Sequence, residues 1–561
     1  MKARHDGLRA LKIFRRNCKN VHAVQQKLLG EIISKNSATD YGRKFGLHRI
    51  RSLEDLRKRH PLTTYERYES FVDRVAQGEP QVMTKDPPTR LCETSGTTGK
   101  NKLIPQDNKT LLPKVRAVIK GLMHETFPKM TIVQRIMKLH IHYGFKKSKC
   151  GITIATATAI DPKTMKFFVS YTTPPEGLLL NNLFDALYIH LLFGLKEKSL
   201  GVIEASFIMT VEEAIRILIL KWENLVEDLK TGTIHEGLHL EPWIRSALSK
   251  ALGDGDVTRA NEVEVEIRKG PIGIVKRLWP SIAFIGCIDN LGRKSYLQTT
   301  FAAGVPIYSY GYGSSEGAQG INLWPLDDDT HFLPFHAVAV FEFIPEEAMD
   351  KDDPPTYFLH EVEVGQNYEI VVTQGYGLYR YRMGDVVRVT GFYRSCPKLT
   401  FLYRRAMLLD IDGEKVSQLV VAASLKDALT MWPGLILQQY CVVQSPLMSR
   451  VVNAKDKDGS HRYYVFFLQL KANDGKDLHE IDVKVLAKRI DEGICSRHFV
   501  FKENREENRF SSPEVYLVND NAFQELRKYI LKSGKVSAVQ MKLPLRLKTP
   551  EMVEVMLANL L

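Results

Sequence analysis

Cysteine is scarce in this sequence, with seven residues in a chain of 561. The number is odd, and no two cysteines stand in a Cys-x-x-Cys pair. The chain therefore lacks the paired spacing that is typical of a disulfide framework or of a zinc knuckle. We expect free thiols in a reducing compartment, and so a cytoplasmic protein.

Long uninterrupted apolar runs are also missing. The most apolar segment, LLLNNLFDALYIHLLFGL at 178–195, contains Asn181, Asn182, Asp185 and His190. Such polar groups are costly inside a bilayer, so the segment predicts a buried helix of a globular domain and no transmembrane segment. The basic N-terminus has no apolar run of signal-peptide length.

Charge of one sign is not concentrated in any block. The chain has 78 Lys and Arg against 65 Asp and Glu, a net charge of +13, and a pI near 9.1. Because the basic residues are scattered, the composition favours a solvated basic surface over a nucleic-acid partner. No stable protein partner is implied either.

Helical and strand-like patterns are mixed along the whole chain, which favours an α/β or α+β enzyme-sized fold. At this length we expect one large and one smaller domain. A polar, glycine-centred turn at 408–418 separates two apolar stretches, so we predict domains at 1–412 and 413–561. Capping-box spacing at Thr210, before apolar residues of helical period, predicts a helix that ends near Leu229.

Hydroxyl residues, glycines and lysines crowd into ETSGTTGKNKLIP at 93–105, the composition of a phosphate-binding loop. The loop is not of the Walker type, because only two residues separate Gly96 from Gly99 and Asn101 follows Lys100. We predict a strand–loop–strand unit whose backbone N–H groups form an anion nest, although a polar surface turn has the same composition. The predicted phosphate-binding residues are Ser95, Gly96, Thr97, Thr98 and Lys102.

Three further motifs extend this pattern: GYGSSEGAQGINLWP at 311–325, VEVGQNYEIVVTQGYGLYRYRMGDVVRVTGF at 362–392 and FLYRRAMLLDIDGEKVSQ at 401–418. With the loop, they resemble the Gretchen Hagen family of acyl-acid amido synthetases, first known as auxin-responsive proteins in plants. The resemblance runs from about 52 to 547, with the motifs in order. The loop has one residue fewer before its lysine than the plant family usually has, and is closer to the wider adenylate-forming superfamily.

The resemblance implies the adenylate-forming (luciferase-like) fold, with a large N-terminal α/β domain and a small, mobile C-terminal α+β domain. It also implies a ligase that uses ATP and Mg²⁺. A carboxylate attacks the α-phosphate of ATP to give an acyl-adenylate and pyrophosphate, and an amine, usually of an amino acid, then displaces AMP. Segments 132–176 and 200–210 are expected to line the acid pocket, but the sequence names neither the acid nor the amine.

The resemblance further implies roles for one motif of the large domain. Glu316 is the expected Mg²⁺ ligand, since a hard dication prefers carboxylate oxygen. Tyr312 would offer its ring to adenine, and the backbone of Gly313, Ser314 and Ser315 would contact the edge of the base. Without the resemblance, the same residues would be interpreted as a serine-rich turn with no role in binding.

Four more residues receive roles from the resemblance. Asp385, in a Gly-Asp pair predicted to join two strands, would accept hydrogen bonds from the ribose hydroxyls. Arg404 would lie near ribose or phosphate, and Lys415 near the adenylate. Lys542 would be carried onto the phosphate by the mobile domain, a role that suits a compact point charge. Each basic residue alone would be a solvated surface charge.

Other functions share parts of this pattern. Thioester formation with coenzyme A uses the same adenylation motifs, and a non-catalytic binding protein could keep the same fold. The pentapeptide HEGLH at 235–239 matches the His-Glu-x-x-His motif of zinc proteases, with Glu262 as a possible third ligand. Because Gly237 interrupts the helix that a zinc site would need, we predict a loop there instead.

Overall fold

The computed structural model describes residues 2–94, 102–107, 111–128, 134–142, 144–159, 170–289, 293–405, 408–452, 462–472, 478–532 and 544–561. The chain forms two compact units. The larger unit contains Met1–Thr94, Leu103–Met383 and Arg388–Thr400, and the smaller unit contains Ser95–Lys102, Gly384–Val387 and Phe401–Leu561. The predicted boundary between residues 412 and 413 stays a prediction.

Helices make up much of both units. In the larger unit the α-helices are α1 (Lys2–Asn17), α2 (Val21–Asn36), α3 (Asp40–Lys44), α4 (Leu53–Arg59), α5 (Glu69–Gln77), α6 (Leu111–Thr126), α7 (Leu183–Lys196), α8 (Ile208–Thr231), α9 (Pro242–Leu252), α10 (Val257–Arg268), α11 (Ile274–Leu278) and α12 (Lys294–Thr299). In the smaller unit they are α13 (Gln418–Ala428), α14 (Ser445–Val452), α15 (Val483–Cys495), α16 (Phe499–Glu506), α17 (Ala522–Lys532) and α18 (Pro550–Leu557).

The strands form several small sheets. They are β1 (Arg90–Glu93), β2 (Leu103–Gln106), β3 (Ile136–Leu139), β4 (Lys146–Lys147), β5 (Thr153–Ala155), β6 (Val202–Phe207), β7 (Phe284–Ile288), β8 (Ile307–Tyr308), β9 (Gly311–Ser314), β10 (Gly317–Ile321), β11 (Leu333–Pro334), β12 (Ala339–Pro345), β13 (Tyr357–Phe358), β14 (Asn367–Gln374), β15 (Tyr381–Tyr393), β16 (Cys396–Arg404), β17 (Leu435–Gln444), β18 (Tyr464–Ala472) and β19 (Glu514–Leu517). Strands β15 and β16 each contain residues of both units.

A parallel sheet of order β3-β6-β7-β8 lies in the larger unit, and helices α7 and α8 contact its strands. Helix α7 is buried without a break from Asp185 to Leu195. Packing of these helices on the parallel sheet explains the apolar runs of both, because the surfaces in contact are removed from water. The predicted buried helix is confirmed. None of the described helices is long and apolar enough to cross a membrane.

Helix α8 differs from its prediction at the N-terminus. It begins at Ile208 rather than after Thr210, and its cap residue, Phe207, makes no side-chain hydrogen bond. The predicted cap is wrong because β6 runs directly into the helix, so the strand already sets the direction of the chain. The helix is kinked at Lys221 and ends with Gly232 in the left-handed conformation.

The smaller unit is an α+β layer structure around one three-stranded sheet of order β17-β18-β19. Alternate side chains of β18 enter two separate cores: Tyr464, Phe466 and Leu468 face one, and Val465 and Phe467 face the other. The first core includes residues of α13 and α15, and the second includes residues of α17 and α18. This period of two is what a strand covered on both faces requires.

Candidate active site

The predicted phosphate loop lies between two paired strands. Strands β1 and β2 are antiparallel, with Glu93 opposite Leu103, so the chain leaves one strand and returns beside it. This confirms the strand–loop–strand prediction and excludes a Walker loop, which leads into a helix. Lys102 directly precedes β2 and is half-buried. The other predicted loop residues, Ser95, Gly96, Thr97 and Thr98, lie outside the described residues.

The motif that contains Glu316 is a hairpin. Strands β9 and β10 pair antiparallel on either side of Ser315 and Glu316, and Gly317 has φ +137°. A Cβ added at Gly317 would lie 2.4 Å from the hydroxyl oxygen of Tyr376, so the tight approach of Tyr376 requires glycine there. The turn is therefore fixed by its neighbours as well as by its own sequence.

Two side chains hold the backbone of this turn. The Tyr376 hydroxyl donates to the carbonyl oxygen of Glu316 at 2.6 Å, and Nε2 of Gln106 donates to the carbonyl oxygen of Ser315 at 2.7 Å. The backbone N–H of Glu316 donates to Oγ of Ser314. Sequence reasoning missed Tyr376 and Gln106, although Tyr376 stands inside the 362–392 motif and Gln106 directly follows the phosphate-loop motif.

The carboxylate of Glu316 is buried, with 7 % of the residue exposed. Among the described residues, no hydrogen-bond donor contacts its carboxylate oxygens, and the contacts of Glu316 are those of its backbone. A carboxylate that accepts no hydrogen bond from these residues has oxygens available for a hard cation. The arrangement therefore fits a residue that ligates a metal ion.

The predicted adenine contacts lie in the same hairpin. The ring of Tyr312 is half-buried and packs 5.8 Å from the ring of Phe332, centroid to centroid. Gly313 is exposed, and Ser314 and Ser315 are half-buried. The structure thus brings Tyr312, Gly313, Ser314, Ser315 and Glu316 into one short hairpin, while their contact with a base stays a prediction.

Asp385 and Arg404 meet within the smaller unit. Oδ1 of Asp385 accepts from Nε of Arg404 at 2.5 Å, and Oδ2 accepts from Nη2 at 2.8 Å. The Asp385 side chain is 1 % exposed and the Arg404 side chain 36 % exposed.

The surroundings of Asp385 correct one prediction. Gly384 and Asp385 do not join two strands, because residues 381–393 form the single strand β15. Gly384 adopts φ +72° inside that strand, a conformation that kinks the backbone locally without ending the strand.

Lys415 stands in a turn that is closed by backbone hydrogen bonds between Leu409 and Val416. It has φ +51°, which is uncommon for a residue with a side chain. The buried Glu414 beside it accepts from the backbone N–H groups of Ile411 and Asp412, both at 2.8 Å, and from the hydroxyl of Tyr464. These bonds fix Lys415 to the body of the smaller unit. Its partner in the predicted mechanism, Lys542, lies outside the described residues.

Part of the predicted acid pocket is described. Lys138 of β3 and Glu204 of β6 form an ion pair at 2.6 Å, and the Tyr310 hydroxyl donates to the same carboxylate oxygen at 3.2 Å. Burial and the Glu204 carboxylate raise the pKa of Tyr310 well above its usual value. The phenol therefore stays protonated as a donor. The described parts of 132–176 and 200–210 are neighbours in the sheet, while their contact with an acid stays a prediction.

The HEGLH segment holds no metal site. Residues 235–239 form a loop after α8, not a helix, and the backbone N–H of His235 donates to Oδ2 of Asp228. The proposed third ligand, Glu262, is paired with Lys198 and Arg259. The predicted loop is confirmed, and these residues do not form the helix that the zinc-protease alternative requires.

Comparison with known proteins identifies the family. The chain matches the GH3 family N-terminal domain at residues 10–306, its central domain at 332–404 and its C-terminal domain at 435–551. The chain belongs to the GH3 family. This is the Gretchen Hagen family that the sequence motifs resemble, and the match confirms that prediction.

Relatives of this GH3 protein match along nearly its whole length. Indole-3-acetic acid-amido synthetase GH3.17 of Arabidopsis thaliana is 28 % identical, over 96 % of this chain and 93 % of that protein. The 4-substituted benzoates-glutamate ligase GH3.12 of the same plant is also 28 % identical, over 96 % of this chain and 95 % of that protein.

Solved structures give the same result. The AtGH3.15 acyl acid amido synthetase in complex with 2,4-DB has a TM-score of 0.85 and 26 % identity, over 98 % of this chain and 96 % of that one. This confirms the predicted adenylate-forming fold. The relatives also confirm the predicted class of enzyme, a ligase of the amido synthetase type.

Proposed function

We propose that this GH3 protein joins a carboxylic acid to an amino acid through an acyl-adenylate, with ATP as co-substrate and Mg²⁺ as cofactor. The observation that carries the proposal is the buried Glu316 carboxylate, held by its backbone and without a donor among the described residues. Its position in the family motif and its carboxylate, the ligand type that Mg²⁺ prefers, point to the same role.

Glu316 would hold the Mg²⁺ ion, which neutralises charge on the phosphate oxygens when it is bound. The hydrogen bonds from Tyr376 and Gln106 fix the turn before any ligand arrives. A preorganised ligand of this kind costs little reorganisation during the reaction. The hairpin backbone and Tyr312 would bind the adenine.

Asp385 would accept hydrogen bonds from the ribose hydroxyls, as the family motif predicts. The bidentate contact with Arg404 orients the carboxylate. The partly exposed guanidinium of Arg404 would stand near ribose or phosphate. Ser95, Gly96, Thr97, Thr98 and Lys102 would bind the phosphates, as the loop motif predicts.

Two displacements make up the reaction. In the first, a carboxylate oxygen attacks the α-phosphorus, and the bond from that phosphorus to the pyrophosphate oxygen breaks. In the second, the amine nitrogen attacks the acyl carbon, AMP leaves with the bonding electrons, and the nitrogen loses a proton to solvent. Lys542 would act in the first step and Lys415 would lie near the adenylate. Because negative charge gathers on phosphate oxygens in the first step, positioned cations act mainly on its rate.

The compartment is part of the proposal. Each of the seven cysteines is free. Free thiols fit a reducing environment, and we place the enzyme in the cytoplasm. Its partners would be small molecules: an acid and an amino acid.

The test is a screen for carboxylate-dependent pyrophosphate release. The panel would include indole-3-acetic acid, 4-substituted benzoates and 2,4-DB, each with ATP and Mg²⁺, and the matched control would be Glu316→Gln. Amino acids or coenzyme A would then be offered to the enzyme that holds the acyl-adenylate. We expect an amide with an amino acid and no thioester. Pyrophosphate release that ends in a thioester would favour the coenzyme A alternative, and no release with any acid would favour the binding-protein alternative.

A further inference from the structure

Two thiols and one imidazole meet in the interior of the larger unit. Cys18, His336 and Cys396 are each 0 % exposed, and one ligand atom from each lies within 4.8 Å of the other two. No other three His, Cys, Asp or Glu side chains of the described residues lie together in this way. None of the three is among the residues predicted for catalysis.

The three residues come from separate parts of the chain. Cys18 lies between α1 and α2, His336 follows β11, and Cys396 is the first residue of β16. Hydrogen bonds fix their backbones: the N–H and Oγ of Ser395 both donate to the carbonyl oxygen of Cys18 at 3.0 Å, and Nε2 of Gln25 donates to that of His336 at 2.6 Å. The cluster is therefore held by the fold and does not depend on mobile side chains.

The two ring nitrogens of His336 have different surroundings. Nδ1 of His336 lies 3.0 Å from the carbonyl oxygen of Pro334, while Nε2 is buried and has no hydrogen-bond partner. Nδ1 also lies 3.9 Å from Sγ of Cys396, so an ion bound between these two atoms would replace the contact of Nδ1 with Pro334.

We propose that Cys18, His336 and Cys396 form a zinc-binding site. Two thiolates and a neutral imidazole balance the charge of Zn²⁺, so the bound site is neutral and suits its apolar surroundings. The two thiol protons leave to solvent when the ion binds. Thiolate and imidazole together are the donor set that zinc prefers.

Binding of the ion requires only a small movement of the three ligand atoms. Zn–S bonds of about 2.3 Å and Zn–N bonds of about 2.0–2.1 Å place ligand atoms of a tetrahedral ion about 3.3–3.8 Å apart, so the three atoms must approach by at most about 1.5 Å. The ion would join the turn between α1 and α2 to the start of β16, the strand that ends at Arg404. We assign it a stabilising role.

The test measures zinc in the full chain. Wild type, the double variant Cys18→Ala/Cys396→Ala and the control Cys441→Ala are purified under reductant, incubated with Zn²⁺, freed of excess metal and analysed by mass spectrometry of the element. Cys441 is an equally buried thiol of the smaller unit. We expect about one zinc ion per chain in wild type and control, and at least tenfold less in the double variant. Zinc should raise the melting temperature of the wild type and of the Cys441→Ala control, and not that of the double variant.

A second measurement covers the case in which the double variant does not fold. X-ray absorption at the zinc edge of the wild-type protein should show a shell of about two sulfur atoms and one imidazole nitrogen. A shell of oxygen and nitrogen alone would overturn the proposal. So would wild-type protein that retains no zinc, equal zinc in the folded double variant, or a Cys18–Cys396 disulfide that persists under reductant.

Discussion

The hydroxyl of Tyr376 offers the sharpest test of how Glu316 is held. It donates to the Glu316 carbonyl oxygen at 2.6 Å, and both residues are buried. The variant Tyr376→Phe keeps the ring and its packing but leaves that carbonyl without its donor. A buried acceptor that loses its partner costs about 1–3 kcal/mol of unfolding free energy.

The same range of about 1–3 kcal/mol sets the expected effect of Tyr376→Phe on the rate of pyrophosphate release. If the Glu316 carboxylate moves with its carbonyl, each 1.36 kcal/mol lost from the transition state slows the reaction about tenfold. We therefore expect Tyr376→Phe to slow carboxylate-dependent pyrophosphate release about 5- to 160-fold at saturating ATP. The Mg²⁺ concentration needed for half-maximal rate should rise as well, because the metal ligand itself is misplaced.

Tyr308→Phe is the matched control. Its hydroxyl is also buried and donates to the backbone carbonyl of Asn322 at 2.7 Å, so its loss should destabilise the fold by a similar amount. The assays are pyrophosphate release over a range of Mg²⁺ concentrations and urea unfolding. Equal slowing in both variants, or a wild-type rate and Mg²⁺ requirement in Tyr376→Phe, would refute a positioning role for Tyr376.

Three further predictions concern the nucleotide, the mobile lysine and pH. Asp385→Asn should weaken ATP binding by about 1.5–3 kcal/mol for each charged hydrogen bond lost, measured by calorimetry; an unchanged dissociation constant would leave Asp385 as a structural partner of Arg404. Lys542→Ala should slow pyrophosphate release but not aminolysis of a supplied acyl-adenylate; equal losses in the two assays would contradict its swinging role. Stability in urea should fall as pH decreases from about 6.5 to about 4, because burial lowers the pKa of three histidines that stay neutral in the folded state while the unfolded chain takes up protons. The three histidines and their pKa values are His60 at about 4, His140 at about 3 and His190 at about 4. A free energy of unfolding that does not change over this pH range would contradict the prediction.

Local signals in the sequence predicted much of the fold around the site. The apolar run at 178–195 predicts α7 because its polar residues exclude a bilayer and its length suits a helix. The residue types around Gly96 and Gly99 predict the strand–loop–strand unit, since the apolar residues that follow do not continue a helix. Gly237 correctly predicts a loop, because glycine weakens the helix that the HEGLH pattern would need.

Two local predictions are wrong for the same physical reason. A capping box at Thr210 and a turn at Gly384 are both common where those residue types occur. In this fold, neighbouring elements override them: β6 runs into α8 ahead of the cap, and β15 continues through a kink at Gly384. Short-range preference of about 1 kcal/mol yields to sheet pairing and packing over many residues.

The supporting contacts of the site could not be predicted at all. Tyr376 and Gln106 reach the Glu316 turn from distant positions in the chain, and such contacts leave no periodic pattern in a single sequence. Motif resemblance assigns roles to residues that meet a ligand, because those residues share spacing with the family. It says nothing about which side chain holds a backbone carbonyl in place. For that reason the comparison of Tyr376→Phe with its control Tyr308→Phe tests the contacts seen in the structure. Substitution of Glu316 mainly tests the role that the family motif assigns to it.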